Sequence, residues 1–73
     1  MREYSLTECN KNGFISYGIS LISNGVVVCI IHDISHDREE VEALIRLYNK
    51  EDLDPVHLDQ AVEDFLIDRT IPQ

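Results

Sequence analysis

Cys9, Cys29, His32, His36, His57 and Tyr17 are the side chains whose types could do chemistry in this sequence. Zinc or another transition metal needs several Cys, His or carboxylate ligands converging at set spacings. His32 and His36 stand four apart, a ligand spacing only on a helix, and His32 falls on a strand with His36 in the turn after it. His57 falls at the third position of a helix and faces solvent. A nucleophilic cysteine needs an activating base, and neither Cys9 nor Cys29 has one beside it in sequence. No glycine-rich phosphate loop, Gly-x-Ser-x-Gly elbow or pair of carboxylates aimed at one pocket is present. The sequence therefore assigns no catalytic, metal-ligating or cofactor-binding residue and calls for no cofactor.

The elements that position these residues are organised around Asn24-Gly25, which is flanked by Phe14–Ser23 and Val26–Asp33. Asn-Gly between two apolar runs is a strong hairpin signal, because both residues of a type I′ turn need positive φ. A second Asn-Gly, at positions 12–13, joins the central run to an alternating stretch at 3–9. The sequence predicts an antiparallel meander in order 1-2-3, with strands over 3–9, 14–23 and 26–33. Two-residue turns at both places pair Leu6 with Ile19, Tyr4 with Leu21, Leu21 with Val28, Ile19 with Ile30, Tyr17 with His32 and Ile15 with Ile34.

Helices follow over 37–50 and 55–68. Asp37 with Glu40 fits a capping box, Ser35 being a competing cap. Val41, Leu44, Ile45 and Tyr48 form one apolar stripe, with Glu42 and Arg46 at pairing distance outside it. Asn49–Asp52 ends the first helix. Asp54 caps the second, with Pro55 at its first position and Leu53 and Leu58 at the staple positions. Leu58, Ala61, Val62, Phe65 and Leu66 make its stripe, and Pro72 stops it. The fold class is α+β: one domain over 1–73, a three-stranded meander with two helices on one face burying Tyr4, Leu6, Ile15, Ile19, Leu21, Val28 and Ile30.

Composition bounds the function. The 73 residues carry a net charge of −8 with 44% apolar residues, so a small globular domain is expected. Residues 1–36 set Arg2 and Lys11 against Glu3, Glu8 and Asp33, while 37–73 hold four basic and eleven acidic side chains. Acid on the helical half disfavours nucleic acid and anionic membrane, which require basic surface, and reads first as a solvated helix face. The longest apolar run, Val26–Ile31, is too short to span a bilayer. No signal peptide opens the sequence and two cysteines make no disulfide framework, so a cytoplasmic location is expected.

The expected register turns Ser5, Thr7, Cys9, Ser16, Gly18, Ser20, Ile22, Val27, Cys29, Ile31 and Asp33 away from the helices. Cys9 and Cys29 then share the outer face but lie on opposite edge strands, too far apart for a disulfide. Ile22, Val27, Cys29 and Ile31 cluster there without an obvious cover, beside an edge strand with no Lys, Pro or bulge to blunt it. They are the candidate interface, with a second copy or another protein as partner. The bland alternatives are a cover by Asn10–Phe14 or Arg69–Gln73, or simple tolerance of a few exposed apolar residues. Gly18 marks either a bulge or the close approach of another backbone. The leading reading is a non-enzymatic interaction module, homodimeric through the sheet face or edge strand 3. The alternative is a small-ligand binder or enzyme with a pocket near Tyr17, His32 and Tyr48.

Taken together, Ser16-Tyr17-Gly18-Ile19, Asp33-Ile34-Ser35 ahead of Val41-Glu42, Pro55-Val56-His57-Leu58 and Val62-Glu63-Asp64-Phe65-Leu66 resemble a family of short bacterial proteins. That family is found chiefly in Gram-positive anaerobes and is known only as a domain of unknown function. The likeness runs from about Tyr17 to Leu66 and implies a stand-alone cytoplasmic protein. No activity, cofactor or catalytic residue is attached to the family, so none is carried over.

Overall fold

The computed structural model describes residues 1–70, and the side chains of 1–68. Strand β1 is Arg2–Lys11, β2 is Phe14–Ser23 and β3 is Val26–Ser35, forming one antiparallel sheet in order β1-β2-β3. Helix α1 spans Arg38–Lys50, and a 3-10 turn at Pro55–His57 leads into α2, Leu58–Thr70. The α+β class, strand order and two helices are those expected. Pro72 and the tail after it lie outside the described residues.

Both hairpins turn as Asn-Gly chemistry requires. Asn12 and Gly13 have φ of 53° and 82°, and Asn24 and Gly25 have 52° and 80°. The β1–β2 register is the expected one throughout, with Tyr4 opposite Leu21 and Leu6 opposite Ile19.

The β2–β3 register departs from expectation. Ser23–Val26 and Ile22–Val27 pair as predicted, but Leu21 then faces Cys29, Ser20 faces Ile30 and Ile19 faces Ile31. Val28 is thus an extra residue in β3. A second irregularity follows, after which Tyr17 faces Ser35 rather than His32. β3 therefore carries the bulges its sequence did not announce. Val26–Ile31 is apolar at every position, so alternation cannot tell one face from the other and cannot resist a one-residue slip.

The second irregularity depends on Gly18. A Cβ built there would lie 2.1 Å from the Ile31 carbonyl oxygen, 2.9 Å from Thr7 Oγ1 and 3.1 Å from His32 Cα. The close approach is thus by the neighbouring strand of the same chain. Two residues further on, Asp33 adopts φ of 60°, which completes the detour. Beyond it, Ile34 and Ser35 are both buried, at 4% exposure each.

The core joins Tyr4, Ile19, Leu21, Ile34, Val41, Ile45, Tyr48, Leu58 and Val62, with Leu6, Tyr17, Ile31, Leu44 and Phe65 packed around it. Ile15, Val28 and Ile30, expected inside, are exposed. Val28 and Ile30 lost their places to the slip that brought Cys29 and Ile31 to the helix side.

The start of α1 is closed by a relay. Asp37 Oδ1 accepts from the Glu39 and Glu40 amides at 3.0 and 3.4 Å. The Asp37 amide donates to Ser35 Oγ (2.9 Å), whose hydroxyl donates to Glu40 Oε1 (2.9 Å). Asp37 is the cap, and Ser35 is inserted into the box. Asp54 caps the second helical segment through the Val56 amide, at 3.0 Å. Glu42 pairs with Arg38 rather than with Arg46.

Candidate interaction surface at strand β3

The two edges of the sheet are treated differently. On β1, the Tyr4 amide donates to Asn49 Oδ1 (2.8 Å) and Asn49 Nδ2 donates to the Tyr4 carbonyl (3.0 Å). Across a two-residue hairpin the closing pair Ser23–Val26 is hydrogen-bonded, so odd-numbered residues of β2 spend their peptide groups on β3. Their partners on β1, Tyr4 among them, turn theirs outward, and Asn49 takes up that pair. Arg2 Nη2 also reaches from β1 to the Asp52 carbonyl (3.1 Å) and carboxylate (3.3 Å).

Helix α1 ends where this latch needs it. The Asp52 amide donates to the Asn49 carbonyl (3.2 Å) and the Leu53 amide to the Tyr48 carbonyl (3.0 Å). This is a Schellman ending with Asp52 at φ of 50° where glycine is usual. The Tyr4 hydroxyl donates to the Leu53 carbonyl (2.6 Å), and its ring meets Tyr48 edge-on with centroids 5.9 Å apart. Burial pushes both phenols above their ordinary range. The carboxylates of Asp54 and Asp52 add to this at Tyr4, against the pull of Arg2, and Asp64 adds to it at Tyr48.

Among the described residues, nothing comparable covers Val26–Ile30 of β3. Val26, Val27, Val28 and Ile30 are 61%, 51%, 57% and 44% exposed, and Cys29 between them is exposed too. By the alternation that turns Tyr4 outward, Val27 and Ile30 present their peptide groups to the open edge. Among the described residues, no helix, loop or side chain is hydrogen-bonded to the edge over Val26–Ile31.

The slip divides the four candidate residues. Ile22 and Val27 stay paired on the outer face. Cys29 and Ile31 sit opposite Leu21 and Ile19 on the helix side, and Ile31 is half-buried against the core. Cys9 and Cys29, expected on one face, lie on opposite faces as free thiols. Sequence reasoning missed Val26, Val28 and Ile30 as exposed residues. It also missed Asn49, whose signal was present: it falls four residues after Ile45, on the apolar stripe of α1.

The other candidates are dispersed. Tyr17 lines an open depression of about 590 Å³ with Asp33, Ser35, His36 and Arg38, in which neither His32 nor Tyr48 takes part. Most polar groups there are already engaged. Ser35 serves the cap relay, Arg38 bonds Glu42 at 2.6 Å, and His36 Nδ1 donates to the Ile15 carbonyl at 3.0 Å. His32 and His57 are exposed, and Tyr48 is in the core. No group of three His, Cys, Asp or Glu among the described residues is placed to hold a metal ion. No helix among them is long and apolar enough to cross a membrane.

The arrangement defines a small α+β domain whose sheet has one edge held at Tyr4 and the other exposed over Val26–Ile30. The chain belongs to a family of unknown function, DUF6514, whose model matches residues 1–68. That match extends the likeness seen at Tyr17–Leu66 over β1 as well. Comparison with curated proteins and with solved structures found no significant match.

Proposed function

We propose that this chain is a small non-enzymatic interaction module that works as a homodimer through β3. The observation that carries this reading is the exposed run Val26–Ile30 on an open edge, while on the opposite edge Asn49 pairs with both peptide groups of Tyr4. A folded domain of this size gains stability by covering such a surface, at roughly 25 cal/mol per Å² of apolar area. The excess acid lies in residues 37–73, outside β3, so it favours neither nucleic acid nor an anionic membrane as partner. An exposed free thiol at Cys29 suits a reducing bacterial cytoplasm.

Size-exclusion chromatography with light scattering tests the proposal. Twice the chain mass is expected for the native sequence, and the single-chain mass for Ile30→Lys with its circular dichroism retained. A native chain that stays monomeric at high concentration would overturn it.

A further inference from the structure

Resting on that reading, we infer that the second copy binds edge to edge. β3 of each copy pairs antiparallel with the other across a two-fold axis, Val27 opposite the second copy's Ile30 and Val28 opposite its Cys29. The two three-stranded sheets become one.

Exposure on both faces of β3 selects edge pairing over face packing. Ile30, opposite Ser20, lies on the outer face, and Cys29, opposite Leu21, lies on the helix side. Packing of two sheet faces would cover one set and leave the other wet. A strand added at the edge supplies cross-strand neighbours on both faces at once. It also satisfies the outward peptide groups of β3, as Asn49 does for β1.

The contact between Asn49 and Tyr4 favours β3 over β1 as the joining edge. Asn49 already holds both outward peptide groups of Tyr4 on β1, whereas Val27 and Ile30 of β3 hold none among the described residues, so β3 is the edge we assign to the second copy, and an isologous pair consumes it in both chains.

The bulge sets the register. Because Val28 is an extra residue, Val27 and Ile30 share the outer face although three apart, and both turn their peptide groups to the open edge. Pairing Val27 with the second copy's Ile30 therefore matches hydrogen-bonding sites and faces together, and it sets Val26 against Ile31 on the helix side. The whole exposed run pairs with itself. The flanking positions oppose Gly25 to His32 and Asn24 to Asp33, so no two like charges meet.

Cys29 reports on this geometry. Strands about 4.8 Å apart, offset by one residue of about 3.3 Å, put the two Cys29 Cα atoms about 6 Å apart on one face. A disulfide needs about 4.4–6.8 Å. Cys9 lies on the far strand and on the other face.

The test is oxidation of the full chain with copper-phenanthroline, read on a non-reducing gel beside light scattering. A covalent dimer is expected from the native sequence and from Cys9→Ser, and none from Cys29→Ser or Ile30→Lys. A native chain dimeric by mass but not cross-linked through Cys29 would overturn edge pairing in this register while leaving the interaction module standing. A monomeric mass would remove both. Cross-linking through Cys9, or cross-linking that survives Ile30→Lys, would also overturn the inference.

Discussion

Asn49 covers the edge of β1 at Tyr4 by pairing its side-chain amide with both peptide groups of that residue, accepting at 2.8 Å and donating at 3.0 Å. One side chain from the last turn of α1 thus replaces an absent strand. It also ties the helix to the sheet at the point where Tyr4 and Tyr48 pack.

Replacing Asn49 with Ala strands two peptide groups of a buried residue. Leaving such groups unpaired costs about 1–3 kcal/mol. Urea denaturation should show that loss. The variant should also form species larger than a dimer, since the β1 edge is then open at Tyr4 as well. Full stability with unchanged mass would show the latch to be incidental.

Gly18 has no room for a methyl group, because the Ile31 carbonyl and His32 Cα of β3 lie over it. Gly18→Ala is expected to lower stability by about 3 kcal/mol, the upper part of the range for overpacking. Gly25→Ala meets no atom within 4 Å, and its penalty is the positive φ alone. Thermal melts of the two variants should rank Gly18→Ala as clearly the worse.

Burial raises the phenols of Tyr4 and Tyr48 above the ordinary value of a free phenol, 10.0. Between the free and the raised value, the unfolded chain loses phenolic protons that the folded chain retains. Their stabilising contribution is therefore fully present below about pH 10 and declines as pH rises beyond it. Denaturation at pH 8 and at pH 10.5 should show this decline. Tyr4→Phe should flatten it, while costing about 1 kcal/mol at pH 8 for the lost bond to Leu53.

Asp37 holds two amides at the start of α1, and the Ser35 hydroxyl accepts from the Asp37 amide and donates to Glu40. Asp37→Ala should cost about 1 kcal/mol, whereas Asp37→Asn or Asp37→Ser should be nearly neutral, since each keeps an acceptor oxygen at the cap. Chemical denaturation of the three variants checks the order. Equal stability for all three would place the start of the helix in the Ser35–Glu40 bond instead.

Local chemistry by itself determined the strand order, both hairpins and the helix starts. Asn-Gly at 12–13 and 24–25 can enter left-handed φ, Asp37 and Asp54 offer cap oxygens, and the stripes from Val41 and Leu58 repeat at helical spacing. Each of those signals acts over a few residues. The faces of β3 were not determined that way. Val-Val-Val-Cys-Ile-Ile carries no alternation, so its register was settled by contacts distant in sequence: the space over Gly18, the turn at Asp33 and the burial of Ile34 beside α1. Tertiary structure therefore moved Cys29 and Ile31 toward the helices and left Val28 and Ile30 in solvent. It also brought Asn49 to Tyr4 across 45 residues. That contact covered one edge of the sheet at Tyr4, and the other edge became the surface on which the proposed function rests.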